Sequence, residues 1–415
     1  MKSHFDAQEI YDLLKESFSF LTYLQINMLY GTESSYEQLY PLIEKGIDDQ
    51  SSSIYEILLL IASIFQARPK QSQNIMNLLT CMMKKIQFYF SSDELIKIFD
   101  SCRRLVVFLY ENKCINIDSI KKEFLLYDDR FLLFYPEIKE SDPRKFKKLM
   151  IIVWLSKFVR SIENSMNIEK YKEIRRIGHD DCTVSKLIRD DDIENFQLFI
   201  SNTNLDFDSK IQSSVFESNT LINQMPTLIE YSAFFGSINI FKFLLLQLEK
   251  QNYFNEDSEK KLKKLYEYSI VGGCFEIIHI VEGINSNLNL IDRHCIKLAI
   301  SYHQNKIADY LIENSDSKFS FDDLILCIEK NNYEMFVNIF EDESFIDLIE
   351  KGLKDPSIIE IQNLLLFSLQ AGNLTFFKFF LKAFSFDVNT LLTINLNLLF
   401  FLYVSTLCIS NGIFF

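Results

Sequence analysis

Five times between residues 232 and 372 the chain places a small side chain four residues ahead of a residue that tolerates left-handed backbone. The small residues are Ser232, Ser269, Ala299, Cys327 and Ser368, and the turn residues are Gly236, Gly273, His303, Asn331 and Gly372. Glycine, asparagine and histidine are the residue types that accept positive φ most readily. Apolar residues follow each turn at helical spacing, as in Ile240, Phe241 and Leu244, then Ile277, Ile278 and Val281, then Ile307, Tyr310 and Leu311. Such a phrase encodes two antiparallel helices joined by a tight turn, with the small residue letting the first helix pack closely on a neighbour. A weaker copy runs from Leu187 to Ile200 around Asp191.

The turn residues are 37, 30, 28 and 41 positions apart, 34 on average, which matches the ~33-residue period of ankyrin repeats. Residues 180–390 are therefore expected to form about six degenerate ankyrin repeats stacked in a short solenoid, with unequal spacings absorbed by loops. The chain has 10 Gly and 6 Pro in 415 residues, against ordinary usage near 7% and 5%. Sandwiches, barrels and dinucleotide-binding folds consume both at their turns and are disfavoured. The same shortage measures how far the repeats have degenerated. With 39 Phe and 19 Tyr, the chain has ample surface to bury and is not a disordered polymer.

Residues 1–178 are expected to form a helical N-terminal domain. Ile10, Leu13, Leu14, Phe18 and Leu21 lie on one stripe of a helix over 6–29, and Ser53–Gln66 repeats the pattern. Ser92, followed by Asp93 and Glu94, reads as an N-cap opening one helix that carries Leu95, Phe99, Cys102, Val106 and Leu109. Phe124–Phe134 and Phe146–Met166, with the sole tryptophan Trp154, read as further helices, and Pro69, Pro136 and Pro143 fall between runs. The fold class expected is all-α.

Catalytic signatures are missing from the text. There is no phosphate-binding glycine loop, nucleophile elbow or His-Glu-x-x-His motif. The histidines are His4, His179, His279, His294 and His303, none with a metal-ligand partner at helical spacing. His179-Asp-Asp-Cys182 reads as a polar linker, and His294-Cys295 as a turn cap followed by a packed thiol. No cofactor, metal or catalytic residue is assigned, and an enzyme is not expected. The net charge of −14 argues against a nucleic-acid partner. Two basic clusters, Arg144, Lys145, Lys147 and Lys148, then Lys260, Lys261, Lys263 and Lys264, read as solvated helix faces. Eight cysteines without regular spacing, and an N-terminus without an apolar signal core, point to reduced thiols and a cytoplasmic setting.

The stretch Pro226-Thr-Leu-Ile-Glu-Tyr-Ser-Ala-Phe-Phe-Gly-Ser-Ile-Asn-Ile-Phe closely resembles the signature of the expanded ankyrin-repeat proteins of parasitic parabasalid protists. Ile98–Tyr110, Phe134–Lys139 and Lys186–Asp191 agree with it, so the resemblance covers roughly residues 1–390. It implies an uncharacterised helical domain ahead of the repeats and an intracellular, non-catalytic binding protein whose protein partner is unknown. The chain departs from the family after Asp387-Val-Asn-Thr390, where regular Thr-Pro-Leu-His repeats would follow; that motif occurs nowhere here. Residues 391–415 carry no charge and admit three readings: a membrane anchor of suitable length, a buried last helix, or a gene end at which the repeat frame is lost. The expected function is a protein–protein interaction scaffold. The alternative is a membrane-tethered adaptor held through residues 391–415.

Overall fold

A computed structural model of the chain describes residues 7–46, 51–123, 129–178, 182–254, 258–285, 288–342, 345–346 and 359–384. Among these residues there are 24 α-helices and two short 3-10 helices, and the one β pairing is an isolated bridge between Lys210 and Thr227. The protein is all-α. The chain divides into two compact units: residues 1–78 with 291–415, and residues 79–290. Each unit thus combines helices from the first 178 residues with helices of the repeating region.

In the first unit, three helix pairs follow one another: Arg293–Ser301 with Asn305–Glu313, Phe321–Glu329 with Tyr333–Glu341, and Ile359–Gln370 with Leu374–Ala383. The first helix of each pair packs on its own second helix and on the first helix of the next pair. The helix Ala7–Tyr30 lies against Tyr333–Glu341 and Leu374–Ala383. Its stripe of Ile10, Leu14, Phe18, Leu21 and Met28 is buried. Phe18 is fully enclosed by Phe336, Phe376 and Phe379, with ring centroids at 5.1, 5.1 and 5.3 Å. Tilted and edge-to-face aromatic geometry of this kind adds to the burial itself.

The second unit repeats the scheme with Thr183–Arg189 and Ile193–Thr203, Leu228–Phe234 and Ile238–Lys250, and Ser258–Gly272 and Phe275–Ile284. Gly272 marks the tightest approach: a Cβ there would stand 2.0 Å from the Ala233 carbonyl oxygen, so only glycine allows the two first helices to meet. The unit also holds the short helix Thr220–Asn223, the 3-10 helix Asp129–Phe134 and seven α-helices between Ser92 and Ile177. Their buried anchor is Arg175, whose guanidinium donates to both carboxylate oxygens of Glu137 at 3.0 Å and to the Leu133 carbonyl at 2.7 Å. The bidentate geometry satisfies a charge that would otherwise be costly to bury.

Local boundaries differ from the sequence reading in three places. Ser91, not Ser92, is the N-cap of Ser92–Ile98, because Glu94 then falls at the third helical position and closes a reciprocal capping box. The helix it opens stops at Ile98, and Arg103–Glu111 is a separate element. The run Phe146–Met166 is also broken, into Pro143–Leu149 and Val153–Ser165; the weak helix formers Ile151, Ile152 and Val153 stand at the break. Of the expected helix Phe124–Phe134, residues 129–134 form a 3-10 helix, and 124–128 lie outside the described residues. Residues 391–415, His4, His179 and Cys408 also lie outside them. Among the described residues no helix is long and apolar enough to cross a membrane, and none of the cysteines is in a disulfide.

Candidate functional site: the row of turns and its buried polar cluster

All five turn residues stand in the left-handed region, with φ of 61° at Gly236, 75° at Gly273, 54° at His303, 52° at Asn331 and 67° at Gly372. Asp191, in the weaker copy, joins them at 51°. Four of the five turns are closed by the same two hydrogen bonds, while at Gly273 the N–H is shared between the Ser269 and Ile270 carbonyls. The turn residue's N–H donates to the carbonyl three residues back, as in Asn331 to Ile328 at 3.2 Å and Gly372 to Leu369 at 3.0 Å. The next N–H reaches five residues back, to the small position: Ser237 to Ser232, Gln304 to Ala299, Asn332 to Cys327 and Asn373 to Ser368, at 2.8–3.0 Å. This is the Schellman ending of a helix, which needs the left-handed residue where it stands. Ser232, Ser269 and Ser368 are fully buried and satisfy their hydroxyls on the carbonyl three residues earlier. Of the apolar positions after the turns, Tyr310 alone is half-exposed, and the other eight are buried.

In the first unit two of the three turns, His303 and Asn331, carry side chains beside Gly372. Asn331 Oδ1 accepts from Asn373 at 3.0 Å, and His303 meets residues from the start of the chain. His303 is wholly buried. Its Nδ1 accepts from Gln25 Nε2 at 2.9 Å, and its Nε2 lies 2.8 Å from Ser63 Oγ, which donates in turn to the Lys330 carbonyl. Only the Nε2–H tautomer satisfies this chain of bonds. Gln25 also donates to Asn332 Oδ1 at 2.7 Å and accepts from the Glu334 N–H at 2.9 Å. Asn332 bridges to Asn305 and to the Ile300 carbonyl, so three successive elements are tied through one amide. Half-buried Arg68 donates to the carbonyls of Tyr302 and His303 and to Gln304 Oε1, placing a cation at the end of Arg293–Ser301, where the helix dipole favours it. Buried Glu56 accepts from Thr375 N–H at 2.6 Å and from its hydroxyl at 2.7 Å, capping Leu374–Ala383 with a carboxylate.

The electrostatics follow from burial. Loss of hydration, reinforced by the charge of Arg68, brings the His303 imidazole down to about 3. Burial pushes the Glu56 and Glu334 carboxyls up. At neutral pH His303 is an uncharged brace with both nitrogens occupied. Among the described residues no three His, Cys, Asp or Glu side chains gather as a metal site. His279 and Glu282 form an exposed pair at 3.1 Å. At His294-Cys295 the cap is Asp292, whose side chain accepts from the Cys295 N–H at 2.9 Å; His294 is inside the helix. A short acidic side chain fits the capping geometry and an imidazole one residue into the helix does not.

In the second unit the turn row is Asp191, Gly236 and Gly273. Asp191 accepts from the Asn239 side chain at 2.9 Å and the Ile240 N–H at 3.0 Å, so it caps the second helix of the next pair. Sequence reasoning found the turns but not their partners Gln25, Glu56, Ser63 and Arg68. A signal existed for some of them. Gln25 continues the buried stripe of Leu14, Phe18 and Leu21, and Glu56 and Ser63 are two turns apart on one face of the most apolar N-terminal helix. A polar residue on a buried stripe demands a partner.

A family model described as Domain of unknown function (DUF3447) matches residues 256–339. That stretch takes in the turns at Gly273, His303 and Asn331 and most of three consecutive helix pairs. No curated protein and no solved structure matches the chain.

Proposed function

We propose that the chain is a non-catalytic protein–protein recognition scaffold of ankyrin type. The observation that carries this reading is the recurrence of one building unit: helix, Schellman turn with a left-handed residue, helix, and then first helix against first helix in the next pair. Arrays of this kind offer continuous side-chain rows and variable loops rather than a closed pocket. The matched family is often found with ankyrin repeats, which supports the same reading. Kinship with the expanded ankyrin-repeat proteins of parabasalid protists, carried by Pro226–Phe241, belongs to the proposal as its finer part, as does a cytoplasmic setting.

Recognition would fall on exposed residues of the first helices and on the loops between pairs, such as 204–226 and 288–292. The test is affinity capture with the full-length chain, followed by hydrogen-exchange footprinting of the isolated complex. Protection concentrated on the loops and first helices is the expected result. Protection confined to the helices before residue 178, or substrate turnover by the purified chain, would sink the proposal.

A further inference from the structure

The break between Pro143–Leu149 and Val153–Ser165 lifts apolar side chains into solvent. Ile151 is 78% exposed, Val153 65% and Trp154 44%. Isolated exposed apolar residues need no explanation, but a contiguous group does. Cations flank this one on both helices. Arg144, Lys147 and Lys148 share one face of the first helix at i, i+3 and i+4; Lys157 and Arg160 follow Val153 at i+4 and i+7 on the second. All five are exposed, and none makes an ion pair among the described residues.

From Pro143 to Ile162 the chain has six Lys or Arg and no Asp or Glu, within a protein of net charge −14. The sixth, Lys145, donates to the Lys121 carbonyl at 2.6 Å. The nearest acids are engaged: Asp142 caps the first helix by accepting from the Lys145 N–H, and Glu163 pairs with Lys139 at 2.8 Å. An apolar tip between two helices that each carry exposed cations is complementary in both respects to the interface of an anionic bilayer. Tryptophan settles at headgroup level, aliphatic side chains enter the acyl boundary, and Lys and Arg meet lipid phosphates. A nucleic acid would use the cations and leave Ile151 and Val153 in water. We propose that the tip Ile151–Trp154, with Arg144, Lys147, Lys148, Lys157 and Arg160 on the helices flanking it, is a docking surface for anionic lipid membranes.

Because Trp154 is the only tryptophan in the chain, its emission reports on this tip alone. Full-length protein is titrated with phosphatidylcholine vesicles with and without phosphatidylserine. A blue shift and quenching by brominated acyl chains are expected with phosphatidylserine, absent without it and weakened by salt. The variant Lys147→Glu/Lys148→Glu should lower vesicle partitioning at least about tenfold. Ile151→Ser/Val153→Ser should remove the quenching while leaving the circular dichroism unchanged, since both side chains are exposed. Three results would overturn the proposal: no emission change with phosphatidylserine vesicles, co-sedimentation with vesicles without quenching of Trp154, or a shift produced by polyglutamate and not by vesicles.

Discussion

The two units solve the same turn in different ways. In the second, Gly236 and Gly273 reach positive φ at no steric cost, and the turn closes on its own backbone. In the first, Gly372 holds one of the three such positions, and His303 and Asn331, both buried, hold the other two. Their polar atoms must then be satisfied: Asn331 accepts from Asn373 in the next turn, whereas the groups that satisfy His303 come from far along the chain, Gln25 at 278 positions and Ser63 at 240. A glycine turn is a local structure, whereas a histidine turn is a long-range one. Histidine at such a turn therefore does not simply weaken it. It converts a self-sufficient turn into a lock that another part of the chain has to close.

Substitutions can break this contrast. Gln25→Leu orphans His303 Nδ1 and the Glu334 N–H together, and should cost about 4 kcal/mol. Hydrogen exchange should accelerate in residues 291–384, and equal acceleration in residues 182–284 would refute a lock private to the first unit. In the second unit the damaging change is steric. Gly272→Ala drives a Cβ into the Ala233 carbonyl and should cost about 3 kcal/mol by denaturant titration, without the long-range footprint of Gln25→Leu.

Acid sharpens the comparison further. The unfolded chain protonates His303 below about 6.5, whereas the folded one resists down to about 3. This group's contribution is complete above 6.5 and is lost as pH falls toward 3, by up to about 1.4 kcal/mol per pH unit. Asp309, which burial and the nearby Glu313 and Glu334 push up to about 6, acts in the opposite sense, as do Glu56 and Glu334. The measurement is therefore the difference between wild type and His303→Asn, which keeps a residue type suited to the turn. That difference should shrink steadily from pH 6.5 to 4; a constant difference would show that His303 does not titrate as an uncharged brace. The smallest effects belong to local turns. Gly236→Ala makes only ordinary van der Waals contacts, with Cys274 Cβ at 3.6 Å and the Gly272 carbonyl oxygen at 3.8 Å, and should cost only the left-handed strain of about 1–2 kcal/mol. Asp191→Ala should remove a cap of about 1 kcal/mol.

Much of this arrangement was legible beforehand. The turn residues share one register because a Schellman ending admits few residue types, and that restriction shows in the text as Gly, Asn, His or Asp. The long helices Ala7–Tyr30 and Ser51–Ala67 were readable because 3.6-residue periodicity is strong over that length. The polar cluster was not readable, since nothing local in Gln25 or Ser63 names His303; the pairing exists only once the helices are packed. The break at Ile151 escaped because it carries neither Gly nor Pro. Cap positions slipped by one residue at Ser91, where two adjacent serines differ only in what lies three positions downstream, and by two at Asp292, where the cap is the short acid and not the imidazole.

The pairing of residues 1–78 with residues 291 onward has a consequence for synthesis. The helix carrying Phe18 and Gln25 leaves the ribosome with its apolar stripe complete, but the partners of Gln25 lie 278 and 307 positions further on, at His303 and Asn332. At roughly 5–20 residues per second that is a wait of about 15–60 s, during which Ile10, Leu14, Phe18 and Leu21 lack those partners. Residues 79–290, by contrast, are contiguous and can assemble as they emerge. The unit whose turns are locked by distant side chains is thus the one whose core closes last.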